Sequence, residues 1–128
     1  MFSKIMYLTL FVTDQDKALD FYTRAFGFQK RSDHAGPEGR FLTIALNEGA
    51  PEVLLWPGTA GRAITTPGAA APGPLFIESD DLKKDFETLR ARGVTFADPE
   101  PVNYPYGMRA EALDPDGNWV CLRQRRKS

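Results

Sequence analysis

Two hydrophobic periods alternate along this chain, and the whole pattern occurs twice. Residues 5–12, IMYLTLFV, form an apolar run of strand formers. In it Tyr7, Thr9 and Phe11 share one face, and Met6, Leu8, Leu10 and Val12 share the other. Asp14 follows where a carboxylate can accept from the unpaired amides of a first helical turn. Ala18, Leu19, Tyr22, Ala25 and Phe26 then recur at helical spacing, and Gly27 stops the helix where a left-handed residue is favoured. Three strand-like stretches come next, at 28–33, 40–46 and 52–56. Turn-prone residues separate them at 34–39 and 47–51. The predicted order is βαβββ.

Residues 57–73, PGTAGRAITTPGAAAPG, have no period and read as a linker. The grammar then returns, with a strand at 75–78 and a helix capped by Asp80 or Asp81. That helix carries the stripe Leu82, Phe86 and Leu89 and is closed by Gly93. A strand at 94–96, a proline-bearing loop at 98–107, a strand at 109–113, the turn Asp114-Pro115-Asp116-Gly117 and a strand at 119–123 complete it. TDQDKALDFYTRAFGF and SDDLKKDFETLRARGV are the matching helix phrases. A duplicated unit of this size predicts two tandem βαβββ modules, about 3–56 and 74–124, in one α+β domain. Leu8, Leu10, Ala18, Leu19, Tyr22 and Phe26 are the expected core of the first. Leu75, Ile77, Leu82, Phe86, Leu89, Val120 and Leu122 are that of the second.

Composition narrows the function classes. The 16 basic and 17 acidic side chains nearly cancel, so charge gives no reason to bind nucleic acid. Only the tail at 123–127, RQRRK, is locally basic, and it reads as a solvated end. The single cysteine allows no internal disulfide and no CxxC pair. No apolar run is long enough for a membrane span, and residues 1–10 do not form a secretory signal. A cytoplasmic protein with a small-molecule partner is the expectation.

VTDQDKALDFYTRAFGF, DDLKKDFETLRARGV and PYGMRAEALDPDGNW, with the strand that follows, occur here in order. In this the chain resembles the vicinal oxygen chelate superfamily: glyoxalase I, extradiol dioxygenases, fosfomycin-modifying enzymes and bleomycin-binding resistance proteins. The resemblance implies that each βαβββ sheet curls around a cup with its helix outside. The cup would be built within one chain or across a homodimer. It also implies four positions that bind metal in metal-using members. These are Tyr7, seven residues before Asp14; Glu52 or Val53 on the fourth strand; Pro74, seven before Asp81; and Cys121, four after the glycine of the DPDGN turn.

That set is a poor metal site. A divalent ion in such a cup needs three or four imidazole or carboxylate donors on one point. Proline and valine supply none, a tyrosine is mostly protonated near neutral pH, and one thiol with at most one carboxylate holds metal weakly. The only histidine, His34, falls in the turn predicted at 34–39 and reads as a solvated loop residue. Cys121 has no obvious base to activate it and reads as a small buried side chain. No metal, cofactor or catalytic residue is therefore expected.

Strand parity then gives the lining, if the family positions face inward. Tyr7, Thr9 and Phe11 line it from the first strand, and Trp56 sits near the rim. Phe76 and Glu78 follow in the second module, with Trp119, Cys121 and Arg123 on the last strand. Tyr104 and Tyr106 stand on the proline-bearing loop, and Arg109 and Glu111 alternate on the strand after it. An aromatic cup with a few polar groups suits a flat, partly apolar ligand. The resemblance to the bleomycin-resistance branch favours a binding protein for such a molecule, an antibiotic among the candidates, with Trp119 in contact. The alternative is an enzyme: a lyase or dioxygenase using Tyr7, Glu52 and Cys121 with a substrate-borne metal, or a metal-free one with Glu111 or Glu78 as acid/base.

Overall fold

The computed structural model describes residues 1–58 and 74–126, so most of the predicted linker lies outside the described residues. The chain divides into two compact units, each with one open sheet and one helix. Strands dominate a mixed α+β fold, as the sequence pattern predicts.

The first unit holds β1 (Tyr7–Val12), α1 (Gln15–Phe26), β2 (Gln29–Gly36), β3 (Gly39–Ala45) and β4 (Glu52–Pro57). The sheet order is β1-β4-β3-β2, with β1 parallel to β4 and the other pairs antiparallel. Asp14 caps α1 by accepting from the Lys17 amide at 3.0 Å, and Gly27 ends it at φ 81°. Leu10, Val12, Leu42, Ile44, Val53 and Leu55 are buried on the helix side with Ala18, Tyr22 and Ala25. Gln15 ties the helix start to the sheet: its Nε2 donates to the carbonyls of Arg40 and Leu55, each at 2.9 Å.

The second unit holds β5 (Leu75–Glu78), α2 (Leu82–Ala91), β6 (Thr95–Phe96), β7 (Val102–Tyr104), β8 (Gly107–Leu113) and β9 (Trp119–Arg125). The order is β5-β9-β8-β6, with β5 parallel to β9, and β7 also pairs with β8. Asp81, not Asp80, is the α2 cap and accepts from the Lys84 amide at 3.2 Å. Gln124 on β9 reaches across to accept from the Leu82 amide at 2.6 Å. Ala110, Ala112, Val120 and Leu122 pack on the side of Leu82, Phe86 and Leu89. The DPDGN turn closes on itself: Asp114 Oδ1 accepts from the amides of Asp116 and Asn118, and Gly117 adopts φ 87°.

Several expectations change. β1 starts at Tyr7, and Ile5 and Met6 are exposed, because the apolar run is longer than the ladder with β4. β2 continues to Gly36, so His34 stands on a strand opposite Phe41 and not in a turn. The turn shrinks to Pro37-Glu38, since Gly39 at φ 132° allows a two-residue connection. The loop at 98–107 contains β7, paired Val102 to Arg109 and Tyr104 to Gly107, and β9 extends to Arg125. Within the expected core, Leu8 is 46% exposed, and Leu19, Phe26 and Ile77 are only half-buried. Leu8 stands near the open end of the edge strand.

Candidate functional site

The face of the second sheet opposite α2 carries the larger concentration of chemistry. β9 places Trp119, Cys121 and Arg123 on it, β8 places Leu113, Glu111 and Arg109 opposite them, and β5 adds Phe76 beside Cys121 and Glu78 beside Arg123. Glu111 is the hub. Its carboxylate accepts from Arg109 Nη1 at 2.9 Å and from Arg123 Nη1 at 2.6 Å, and it is 9% exposed. Asp98 Oδ2 lies 4.0 Å from the same Arg109 nitrogen. The Arg123 guanidinium carbon lies 5.0 Å from the centre of the Phe76 ring and 5.6 Å from that of Tyr104, within cation–π range. Tyr104 meets Tyr106 edge to face at 5.7 Å. Arg125 grips Glu78 through Nε at 2.6 Å and Nη2 at 3.0 Å, and the hydrogen bond from Arg125 is the main cause that holds the Glu78 carboxyl below its ordinary value.

Phe76, Glu78, Tyr104, Tyr106, Arg123 and Arg125 line a cavity of about 470 Å³. That volume suits a small organic molecule. The hairpin of β7 and β8 makes this possible, because it carries both tyrosines at its turn. Gly107 is its hinge. A Cβ there would stand 2.1 Å from the Gln124 carbonyl oxygen, so only glycine lets β8 start this close to β9.

On the first sheet, the face away from α1 holds Tyr7, Thr9 and Phe11, with Glu52, Leu54 and Trp56 beside them on β4. Tyr7 meets Phe41 edge to face at 5.5 Å. Glu52 accepts from the Thr43 hydroxyl at 2.7 Å, and that hydroxyl accepts from the Ser32 amide at 3.1 Å. Glu52 is thus the fourth-strand residue beside Tyr7, whereas Val53 is buried on the helix side.

The sequence-derived set is therefore brought together in parts. Tyr7, Thr9, Phe11 and Trp56 share the first face. Phe76, Tyr104 and Tyr106 line the cavity, and Arg109, Glu111 and Cys121 adjoin it on the same face. Trp119 lies on that face too, but four residues before Arg123, about 13 Å along an extended strand. It does not line the cavity. Arg125 and Asp98 fall outside the sequence-derived set. Arg125 shares its parity with Arg123, the one signal that could have found it. Asp98 left no pattern in the sequence.

The family's metal positions do not fit a metal in this chain. The residue beside Cys121 is Phe76 rather than Pro74, because β5 begins only at Leu75 and its first paired positions stand closer to the helix cap than those of β1. Neither residue offers a donor. Glu52 already accepts from Thr43, and Cys121 is buried at 1% exposure. His34 is exposed on β2. Among the described residues, no group of three His, Cys, Asp or Glu side chains is placed to hold a metal ion. Among them, too, no helix is long and apolar enough to cross a membrane.

The model of the Glyoxalase/Bleomycin resistance protein/Dioxygenase superfamily matches residues 4–122. YurT of Bacillus subtilis (strain 168) is 33% identical over 132 aligned positions, which cover 95% of this chain and 99% of that protein. TnmS3, an antibiotic binding protein from Streptomyces sp. CB03234, is 31% identical and superimposes with a TM-score of 0.80 over 98% of each chain. A structure of a superfamily member from Sphaerobacter thermophilus DSM 20745 is 32% identical, with a TM-score of 0.81, covering 97% of this chain and 98% of that one. With a family model spanning, among the described residues, both helices and eight of the nine strands from end to end, the chain belongs to the Glyoxalase/Bleomycin resistance protein/Dioxygenase superfamily.

Proposed function

We propose that the protein binds a flat, partly apolar organic molecule, an antibiotic being one such class, and performs no chemistry on it. The observation that carries this reading is the cavity in which Phe76 and Tyr104 lie against Arg123 and Tyr106 adds a third ring. The likeness to TnmS3 over nearly the whole chain supports it. The donor-poor metal positions weigh against a metal enzyme of the glyoxalase type. The metal-free alternative needs a carboxyl that exchanges its proton readily. Glu78 is held ionised by Arg125, and both Glu111 oxygens accept from arginines. The first is a poor proton donor, and the oxygens of the second are already engaged by those arginines.

A thermal-shift screen of planar aromatic and peptide antibiotics tests the proposal, together with elemental analysis. A ligand raises the melting temperature by mass action, and Tyr104→Ala is expected to remove most of that rise. Trp119→Ala separates the two ends of the face: a rise kept there and lost in Tyr104→Ala assigns the ligand to the Arg123 end. Cys121→Glu is expected to gain no tightly bound metal, because one carboxylate still lacks partners. One tight metal per chain in the unaltered protein, or glyoxalase-type turnover with added nickel or zinc, overturns the reading. We also propose a cytoplasmic homodimer, which a monomeric mass by light scattering would exclude.

A further inference from the structure

The Arg123 guanidinium has one occupied edge and one unmet edge. Nη1 donates to Glu111 Oε1 at 2.6 Å and to the Leu122 carbonyl at 2.9 Å. Among the described residues, no acceptor takes the Nε hydrogen or those of Nη2. The side chain is 20% exposed, and these donors still reach solvent, so this edge is open to an incoming acceptor. The phenyl of Phe76 and the phenol of Tyr104 lie against the group and hold its plane. Nε–H and one Nη2–H of an arginine run parallel, at the spacing of the two oxygens of a carboxylate. The acids nearby do not supply that carboxylate. Glu78 is closed on Arg125 by two hydrogen bonds, and Glu111 is shared between Arg109 and the occupied edge of Arg123.

We infer that the ligand of this site is an aromatic carboxylate. Its acid group takes the Nε and Nη2 edge of Arg123, and its ring system lies against Phe76, Tyr104 and Tyr106. Glu111 is a positioning residue that fixes which edge of the guanidinium is left for the ligand. This inference rests on the binding proposal above and specifies the ligand's chemical class.

The test compares 2-naphthoate with its neutral analogue 2-naphthamide by calorimetric titration of the full chain near neutral pH. The acid is expected to bind about tenfold more tightly or better, the size of a charge-assisted pair over a neutral one. Arg123→Gln brings the ratio close to one. Arg123→Lys keeps the charge and the apolar stem but not the parallel donors, so the ratio falls to about threefold or less. Phe76→Ala weakens both probes, and the acid keeps its advantage because Tyr104 and Glu111 still hold the guanidinium. Equal affinity for acid and amide, or a preference that survives both Arg123 variants, overturns the carboxylate assignment and leaves binding of flat aromatics standing. If neither probe binds while a flat antibiotic still raises the melting temperature, the carboxylate assignment falls and the binding proposal stands; if no compound of either set binds, both fall.

Discussion

On the first sheet the open face holds one carboxylate, Glu52, answered by the Thr43 hydroxyl, with Tyr7 and Phe41 in edge contact nearby. On the second, Glu111 is answered by two guanidiniums, and one of these lies against two aromatic rings. The backbone beneath them is alike: a parallel outer pair, a central antiparallel pair and a helix capped by aspartate. Equivalent strands thus present a carboxylate answered by a hydroxyl on one module and a carboxylate answered by two guanidiniums on the other. The scaffold decides which positions face outward and which face the helix, and the side chains at the outward positions decide what is bound. The helix-facing side can change little, because Leu10, Val12 and Leu55 on one module and Val120 and Leu122 on the other must fill space against a helix.

The glycines that open β3 and β8 give the largest expected contrast between the modules. Gly107→Ala forces a Cβ to 2.1 Å from the Gln124 carbonyl oxygen at φ 145°. Backbone must move, and a loss of about 3 kcal/mol or more is expected. Gly39→Ala meets only the Trp56 ring, at an ordinary 3.7 Å, so the strain of φ 132° is its main cost, about 1 kcal/mol. Urea denaturation of the two variants checks this, and equal losses would mean that the β7–β8 hairpin is looser than described. Next come the helix caps, where the modules should behave alike: Asp14→Ala and Asp81→Ala each lose about 1 kcal/mol, read from the denaturation midpoint. An unaffected midpoint in one of them would break the equivalence of the helices.

The smallest effects concern the exposed ion pairs. Asp33 is held well below the ordinary carboxylate range, chiefly by its hydrogen bond from Arg40 with help from Lys30, and Glu78 is held lower by Arg125. A depressed folded value means that each pair stabilises the fold above the unfolded carboxylate range. That stability is lost as pH falls through the depressed folded value. Melting temperature followed from neutral to about pH 2 should therefore fall less steeply in Asp33→Asn than in the unaltered chain, and by a lesser margin in Glu78→Gln. Added salt should shrink both differences, since these carboxylates face solvent. A steeper fall in either variant would contradict the assigned partners.

Both helices were legible in the sequence because three signals agreed: an aspartate cap, a stripe at helical spacing and a glycine at or just past the end. The DPDGN turn was legible because Asp114 and Gly117 satisfy it locally. The end of the β2–β3 hairpin was not. Residues 33–39 are exposed and bury no face, so no alternation marks them, and only the pairing of His34 with Phe41 makes them strands. β7 was hidden among Pro99, Pro101 and Pro105, and its partner lies across a turn that Gly107 alone permits. The site was half legible. Parity placed Phe76 and Arg123 on one face, but depth along the strand comes from the register of β5 on β9. That register set Phe76, not Pro74, beside Cys121 and left Trp119 at the far end.

Every strand pairing of the first sheet closes between Tyr7 and Pro57, and none requires a residue of the second. On the ribosome its ladder is complete as soon as Pro57 has emerged. The roughly 70 residues that carry the second sheet take several seconds to synthesise, and only the part already in the exit tunnel has been made when Pro57 emerges. Mixed α/β domains of this size pair their strands within milliseconds to seconds. The nascent chain thus has time to order its first sheet before Arg123, the guanidinium on which the ligand proposal turns, has been added.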